Sequence, residues 1–116
     1  MIPEQVFKAL CDTIRLRMVS LLMQRELCVC EIIDCLDLSQ SNASRHLTIL
    51  KNAGVLSGRK QAQWIYYKID ESFPAELQGY LSRVFTEHCV YAEDQDRLKN
   101  CRAAEICRCK ITEGRL

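Results

Sequence analysis

Apolar residues recur at helical spacing through the first half of the chain. Pro3 suits the first turn of a helix, and Val6, Phe7 and Leu10 give that helix a stripe. Asp12 is a good N-cap for a second helix, in which Ile14, Met18, Leu21 and Leu22 recur with Arg15, Arg17 and Ser20 between them. A third, short helix is predicted from about Val29 to Leu36, with Ile32, Ile33 and Leu36 inward. Leu38-Ser39 then makes a turn, and Ser39 caps a fourth helix that turns Ala43, Leu47, Leu50 and Ala53 to the core. Gly54 supplies the left-handed stop after it.

Beyond Gly54 the period changes. Residues 55–60 and 64–69 are rich in β-branched and aromatic types, with Gln61-Ala62-Gln63 between them, and predict a β-hairpin. After Pro74 an amphipathic helix carries Leu77, Leu81, Val84 and Phe85 on one face. From about Glu93 to Cys109 the chain is more charged, with a weak helical stripe of Leu98, Cys101 and Ile106. The expected fold is mostly α with a β-hairpin wing, a winged helix-turn-helix. It forms one domain over 1–116, with 90–116 as a Cys-rich helical or tail extension. These pieces are too small to bury both terminal helices alone, so the first and fifth helices are expected to pack against a second copy in a homodimer.

Composition narrows the class. The 116 residues are 48% hydrophobic and 27% charged, ordinary for a globular chain. No run of 18 apolar residues suggests a membrane partner. Met1-Ile2-Pro3-Glu4-Gln5 lacks the basic and apolar regions of a secretory signal, so a cytoplasmic location is expected. In that compartment eight cysteines, at 11, 28, 30, 35, 89, 101, 107 and 109, read as metal-binding or redox groups rather than as disulfides. Cys11 and Cys35 are expected to be small buried hydrophobes.

The net charge is only +1, yet its distribution is uneven. Between Leu38 and Ile69 there is no acidic residue and there are five basic ones, Arg45, Lys51, Arg59, Lys60 and Lys68. Such a stretch suits a phosphate-facing surface. The start of the fourth helix offers Ser39, Gln40, Ser41, Asn42, Ser44, Arg45 and His46 to the major groove of double-stranded DNA. The hairpin adds Arg59, Lys60, Gln61 and Gln63 for phosphates or the minor groove. Trp64, Tyr66 and Tyr67 read as packing and sheet residues. Ten residues before this reading head stand Cys28 and Cys30, two soft thiolate ligands at the mouth of the third helix. Residues two apart in a regular helix point about 200° apart. Joint ligation by this pair is therefore expected to unwind the first turn and strain the reading helix.

Gln40-Ser41-Asn42-Ala43-Ser44-Arg45-His46-Leu47, followed by Leu50, Ala53-Gly54-Val55-Leu56, Arg59-Lys60 and Tyr67, resembles the ArsR/SmtB family of metal-responsive repressors. The resemblance covers roughly residues 3–85. It implies a homodimeric winged-helix repressor that blocks its own operon and dissociates on binding a metal or metalloid. Ala62 stands where relatives usually carry a glycine at the wing tip.

Glu26-Leu27-Cys28-Val29-Cys30-Glu31-Ile32 resembles the third-helix motif of the arsenic-sensing branch. This implies arsenic(III) or antimony(III) as inducer on Cys28 and Cys30, with no organic cofactor. Arsenic-sensing relatives often have a third cysteine where this chain has Ile33; a hydroxide or another small ligand then completes the shell. A second candidate set is Cys89, Cys101, Cys107 and Cys109, among Arg97, Lys99, Arg102, Arg108 and Lys110, which favour thiolates. Zinc sensing on the fifth helix needs paired Asp/His ligands, and His88 has no partner histidine nearby. Alternatives are a repressor responding to cadmium, lead or thiol oxidation. An enzyme is not expected, because a thiol reductase needs its nucleophile in an anion-binding loop. A metal-sequestering protein without DNA contact leaves the acid-free basic stretch without a role.

Overall fold

The computed structural model describes residues 2–100. Cys101, Cys107 and Cys109 lie outside the described residues. The helices are α1 (Pro3–Leu10), α2 (Thr13–Leu22), α3 (Val29–Leu36), α4 (Gln40–Asn52), α5 (Ala75–Glu87) and α6 (Cys89–Lys99). The strands are β1 (Leu27–Cys28), β2 (Leu56–Gln61) and β3 (Trp64–Ile69), in the order β1-β3-β2, all antiparallel.

Local signals set the boundaries. The Asp12 carboxylate accepts from the N–H groups of Ile14 and Arg15 at 2.8 and 3.1 Å and starts α2. Asp37, in the left-handed region at φ 54°, ends α3, and Ser39 Oγ then accepts from Asn42 N at 3.2 Å to open α4. At the far end of α4 the Val55 N–H bonds to Leu50 O and the Gly54 N–H to Lys51 O, both at 3.0 Å. This is a Schellman stop, with Gly54 at φ 85°.

The core lies beneath the α3–α4 pair. Met18, Val19, Leu21, Leu27, Ile32, Ala43, Leu47, Leu50 and Val55 have no exposed surface. Phe73, just before α5, also packs inward. From α1 only Val6, Ala9 and Leu10 turn inward. Phe7, expected on the apolar stripe, is 62% exposed. Cys35 is buried as expected, whereas Cys11 is exposed because it terminates α1 rather than continuing its inner face.

Two elements differ from the sequence expectation. Leu27-Cys28 forms a short strand on the outer side of the hairpin, making a three-stranded sheet. The final helix starts at Cys89 rather than near Glu93 and packs on α2, α3 and α5. Its Asp94 has no exposed surface and is held by Arg17 of α2 through two bonds, at 2.9 and 2.8 Å, and by Arg97 at 2.8 Å. Asp94 also places its backbone carbonyl 3.2 Å from Cys35 Sγ.

The wing tip is a two-residue turn, Ala62-Gln63, with Ala62 at φ 56° and no positive φ at Gln63. That pattern favours glycine at the first central position. An L-residue in the left-handed region is strained, while glycine costs more entropy on folding. Ala62→Gly is therefore expected to stabilise the chain by about 0.5–1 kcal/mol in urea unfolding.

Candidate nucleic-acid interface and thiol site

α4 presents one polar edge and one buried edge. Ser39, Gln40, Ser41, Ser44 and Arg45 are exposed, and Asn42 is half-buried beside them. Arg45 Nη2 donates to Asn42 Oδ1 at 2.9 Å, so the two side chains extend as a unit from the first turns. Lys60 and Gln63 stand exposed on the wing, with Gln61 half-buried. Arg45→Ala is expected to weaken promoter binding and change base preference. Lys60→Ala is expected to weaken all duplexes evenly and lower the salt slope by about one. A salt series on several duplex sequences reads both effects.

His46 does not join the exposed edge. It is 3% exposed, because 43, 46, 47 and 50 follow the helical repeat that faces the core. Its ring lies 3.2 Å from an Arg15 nitrogen and 3.3 Å from Arg45 Nη2. Arg15 also donates to Ala9 O and Lys8 O at the end of α1. Burial pushes the His46 pKa down against the pull of Asp12, and the neighbouring arginines add to the fall. His46 is thus a packing residue between Arg15 of α2 and Arg45 of α4.

The thiol pair sits where β1 becomes α3. Cys28 is the N-cap, with extended φ −74° and ψ 148°, and Cys30 is the second helical residue. The 200° divergence of a regular helix therefore does not arise. Cys30 Sγ lies 3.0 Å from Cys28 Sγ with the helix fully formed. Unwinding of the first turn is not needed to bring the sulfurs together. Two bonds of about 2.3 Å at a tetrahedral angle need sulfurs about 3.8 Å apart, so holding one ion takes a side-chain adjustment of under about 1 Å from the separation present. Against the sequence expectation, Cys30 is disulfide-bonded here, so the pair offers two thiolates to a soft ion only once Cys30 is reduced.

Glu31, which the sequence reading did not single out, locks this geometry. It is 4% exposed, its Oε1 accepts from Cys28 N at 3.0 Å, and its Oε2 pairs with Arg25 at 3.2 Å. A glutamate three residues after an N-cap is a capping-box signal, hidden here because the cap is a cysteine. Burial pushes the Cys28 thiol up, aided by the Glu31 charge, while backbone N–H groups of Val29, Cys30 and Glu31 pull it down. Among the described residues no group of three His, Cys, Asp or Glu side chains is arranged to hold a metal ion. Cys89, the described member of the second cysteine set, is exposed at the start of α6.

Residues 12–57 match the family described as bacterial regulatory protein, arsR family. The chain is 43% identical over 83 residues to the arsenic resistance transcriptional regulator ArsR1 of Pseudomonas putida, 71% of this chain and 65% of that protein. It is 38% identical over 100 residues to ArsR2 of the same organism, covering 84% of this chain and 87% of that one. It is also 38% identical over 74 residues to a CadC homolog of Staphylococcus aureus, a cadmium resistance transcriptional regulatory protein, 63% of this chain and 61% of that one. The chain thus spans less than two thirds of ArsR1 and of the CadC homolog. Among solved structures it resembles the homodimeric winged helix-turn-helix DNA-binding domain of Mb0332 from Mycobacterium bovis. The TM-score is 0.66 at 31% identity, over 74% of this chain and 80% of that one. With a winged helix-turn-helix of its own and this likeness to ArsR2 over most of both chains, the chain belongs to the arsR family of bacterial regulatory proteins.

Proposed function

We propose that this chain is a transcriptional repressor. As a homodimer it binds double-stranded operator DNA through the exposed start of α4 and the wing. It lets go when arsenic(III), or antimony(III) by the same chemistry, binds Cys28 and Cys30. The carrying observation is the pair of sulfurs 3.0 Å apart at the N-terminus of the helix that packs on α4. After a cellular dithiol reductant has opened the Cys30 disulfide, arsenous acid exchanges two hydroxides for two thiolates; each thiol proton leaves with a hydroxide as water, and the remaining hydroxide completes the shell. Exposed Ile2, Phe7 and Tyr80 on and beside α1 and on α5 supply apolar surface for the second copy. No helix of the described residues is long and apolar enough to cross a membrane. The reading gives the chain no enzymatic step and no organic cofactor, and places it in the cytoplasm.

The test is a release titration on the chain's own promoter DNA with arsenite, antimonite, cadmium, zinc and an oxidant side by side. Release by arsenite and antimonite at the lowest concentrations is the expected result. Release by cadmium alone would transfer the site to the activity named for the CadC homolog, and release by oxidant alone would make the thiols a redox sensor.

A further inference from the structure

Helices α1, α2 and the C-terminal half of α4 enclose a groove of about 360 Å³. α1 lends it Gln5 and Lys8, α2 lends Arg15, and α4 lends Ile49 and Asn52; no acidic residue lines it. Lys8 and Asn52 are exposed, and Arg15 is half-buried. Among the described residues neither cation forms an ion pair. The nearby Asp12 carboxylate is taken by the N–H groups of Ile14 and Arg15. Ala9 O, Lys8 O and the His46 ring hold the Arg15 guanidinium in place. A guanidinium has more N–H groups than these three contacts use. Both cations lie outside the acid-free stretch, so sequence order hides them.

The groove continues the reading edge of α4. Asn42, Arg45, Ile49 and Asn52 follow one helical stripe. Arg15 meets Arg45 through the His46 ring. Asn52 lies about 10 Å beyond Arg45 along the helix axis. The major groove of DNA is about 12 Å wide. With Arg45 on a base edge, Lys8, Arg15 and Asn52 therefore stand at the backbone that borders it. Phe7, which offers apolar surface to the second copy, lies about 200° around α1 from Gln5, so the two flanks of α1 are separate. We propose that this groove seats a phosphate of the operator backbone, bound by Lys8 and Arg15 with Gln5 and Asn52 as neutral donors. This rests on the reading that the start of α4 binds operator DNA. Arginine, lysine, asparagine and glutamine are the side chains that take backbone phosphates, and such contacts fix register without reading sequence. The seat clamps α4 from the α1 side, as the wing does from the other end of the site.

The experiment measures binding of the chain's own promoter duplex by fluorescence anisotropy across a salt series. The variant is Lys8→Gln, an exposed change between two equally good helix formers. It is expected to weaken binding about fivefold per half-site near 0.15 M salt and to lower the salt slope by about one per half-site. Lys99→Gln, an exposed charge loss on α6, is expected to keep the wild-type slope. A scan of duplexes carrying one neutral methylphosphonate linkage at a time then locates the contact. At one linkage per half-site, neutralisation is expected to weaken wild type about fivefold and Lys8→Gln hardly at all. Equal slope losses in Lys8→Gln and Lys99→Gln would overturn the proposal, because they would reflect net charge alone. So would a scan in which no linkage loses its effect in Lys8→Gln. Calorimetric uptake of inorganic phosphate by the duplex-free chain, lost in Lys8→Gln while duplex binding stays at wild type, would overturn it in favour of a free-anion site. A wild-type chain that ignores the duplex overturns the underlying reading, and the proposal with it.

Discussion

A Cys28→Ser/Cys30→Ser chain is expected to bind promoter DNA with wild-type affinity and to stay bound when arsenite is added. Wild type should weaken by roughly 5- to 150-fold, the usual range of coupling between two sites. The substitution is mild where it must be. Cys28 is an N-cap without exposed surface, and serine is among the preferred N-cap residues, its hydroxyl taking over the bond from the Glu31 N–H. Helix α3 should therefore keep its start, and α4 its seat. Soft-ion affinity should be lost, because a hydroxyl does not replace a thiolate for such ions. A chain with Cys101, Cys107 and Cys109 replaced by serine is expected to respond as wild type does. Anisotropy titrations of the three proteins against one duplex separate the cases. Normal release without Cys28 and Cys30, and none without the other three, would move the sensor to the C-terminal set.

The helices and the hairpin were legible because each carried a periodic stripe and a boundary signal of its own. Asp12, Ser39 and Gly54 act locally and do what their residue types suggest. What the sequence obscured was mostly non-local. β1 is two residues long and exists because β3 pairs with it, so no pattern announces it. That strand places Cys28 outside α3, which is why the helical-divergence argument for the two thiols failed. His46 was read with its polar neighbours, although its spacing from Ala43, Leu47 and Leu50 already assigned it to the inner face. The stretch free of acidic residues is not free of them in space. Glu26 reaches Arg59 from 33 positions away and neutralises one of the five basic groups. The exposed start of α4 was legible because capping, the core stripe and the polar face agree there.

Asp94→Ala is expected to cost about 3 kcal/mol of unfolding free energy, the magnitude for removing one partner of a buried ion pair. That is a large part of the stability of a domain this size. The asymmetry of the cluster argues for the value. The Arg17 side chain is 20% exposed and faces a carboxylate with no exposed surface, so it would be left with a buried charge beside a hole. Arg97 is 51% exposed and can turn to water, so Arg97→Ala should cost less than about 1 kcal/mol. A double change, Arg17→Met with Asp94→Leu, should recover most of the loss, because apolar groups of similar volume remove the need for a partner. Urea unfolding at one fixed protomer concentration keeps association from confusing the comparison. Equal costs for Asp94→Ala and Arg97→Ala would mean that α6 is held by its apolar contacts, such as Leu98, rather than by this cluster. The expected order also bears on the thiol helix. The Asp94 carbonyl meets Cys35 near the end of α3, and Gln95 donates to Ser20 O at 3.2 Å, so α6 braces both α3 and α2. Loosening it should raise amide exchange along α3 before α4, since α6 packs directly on α3.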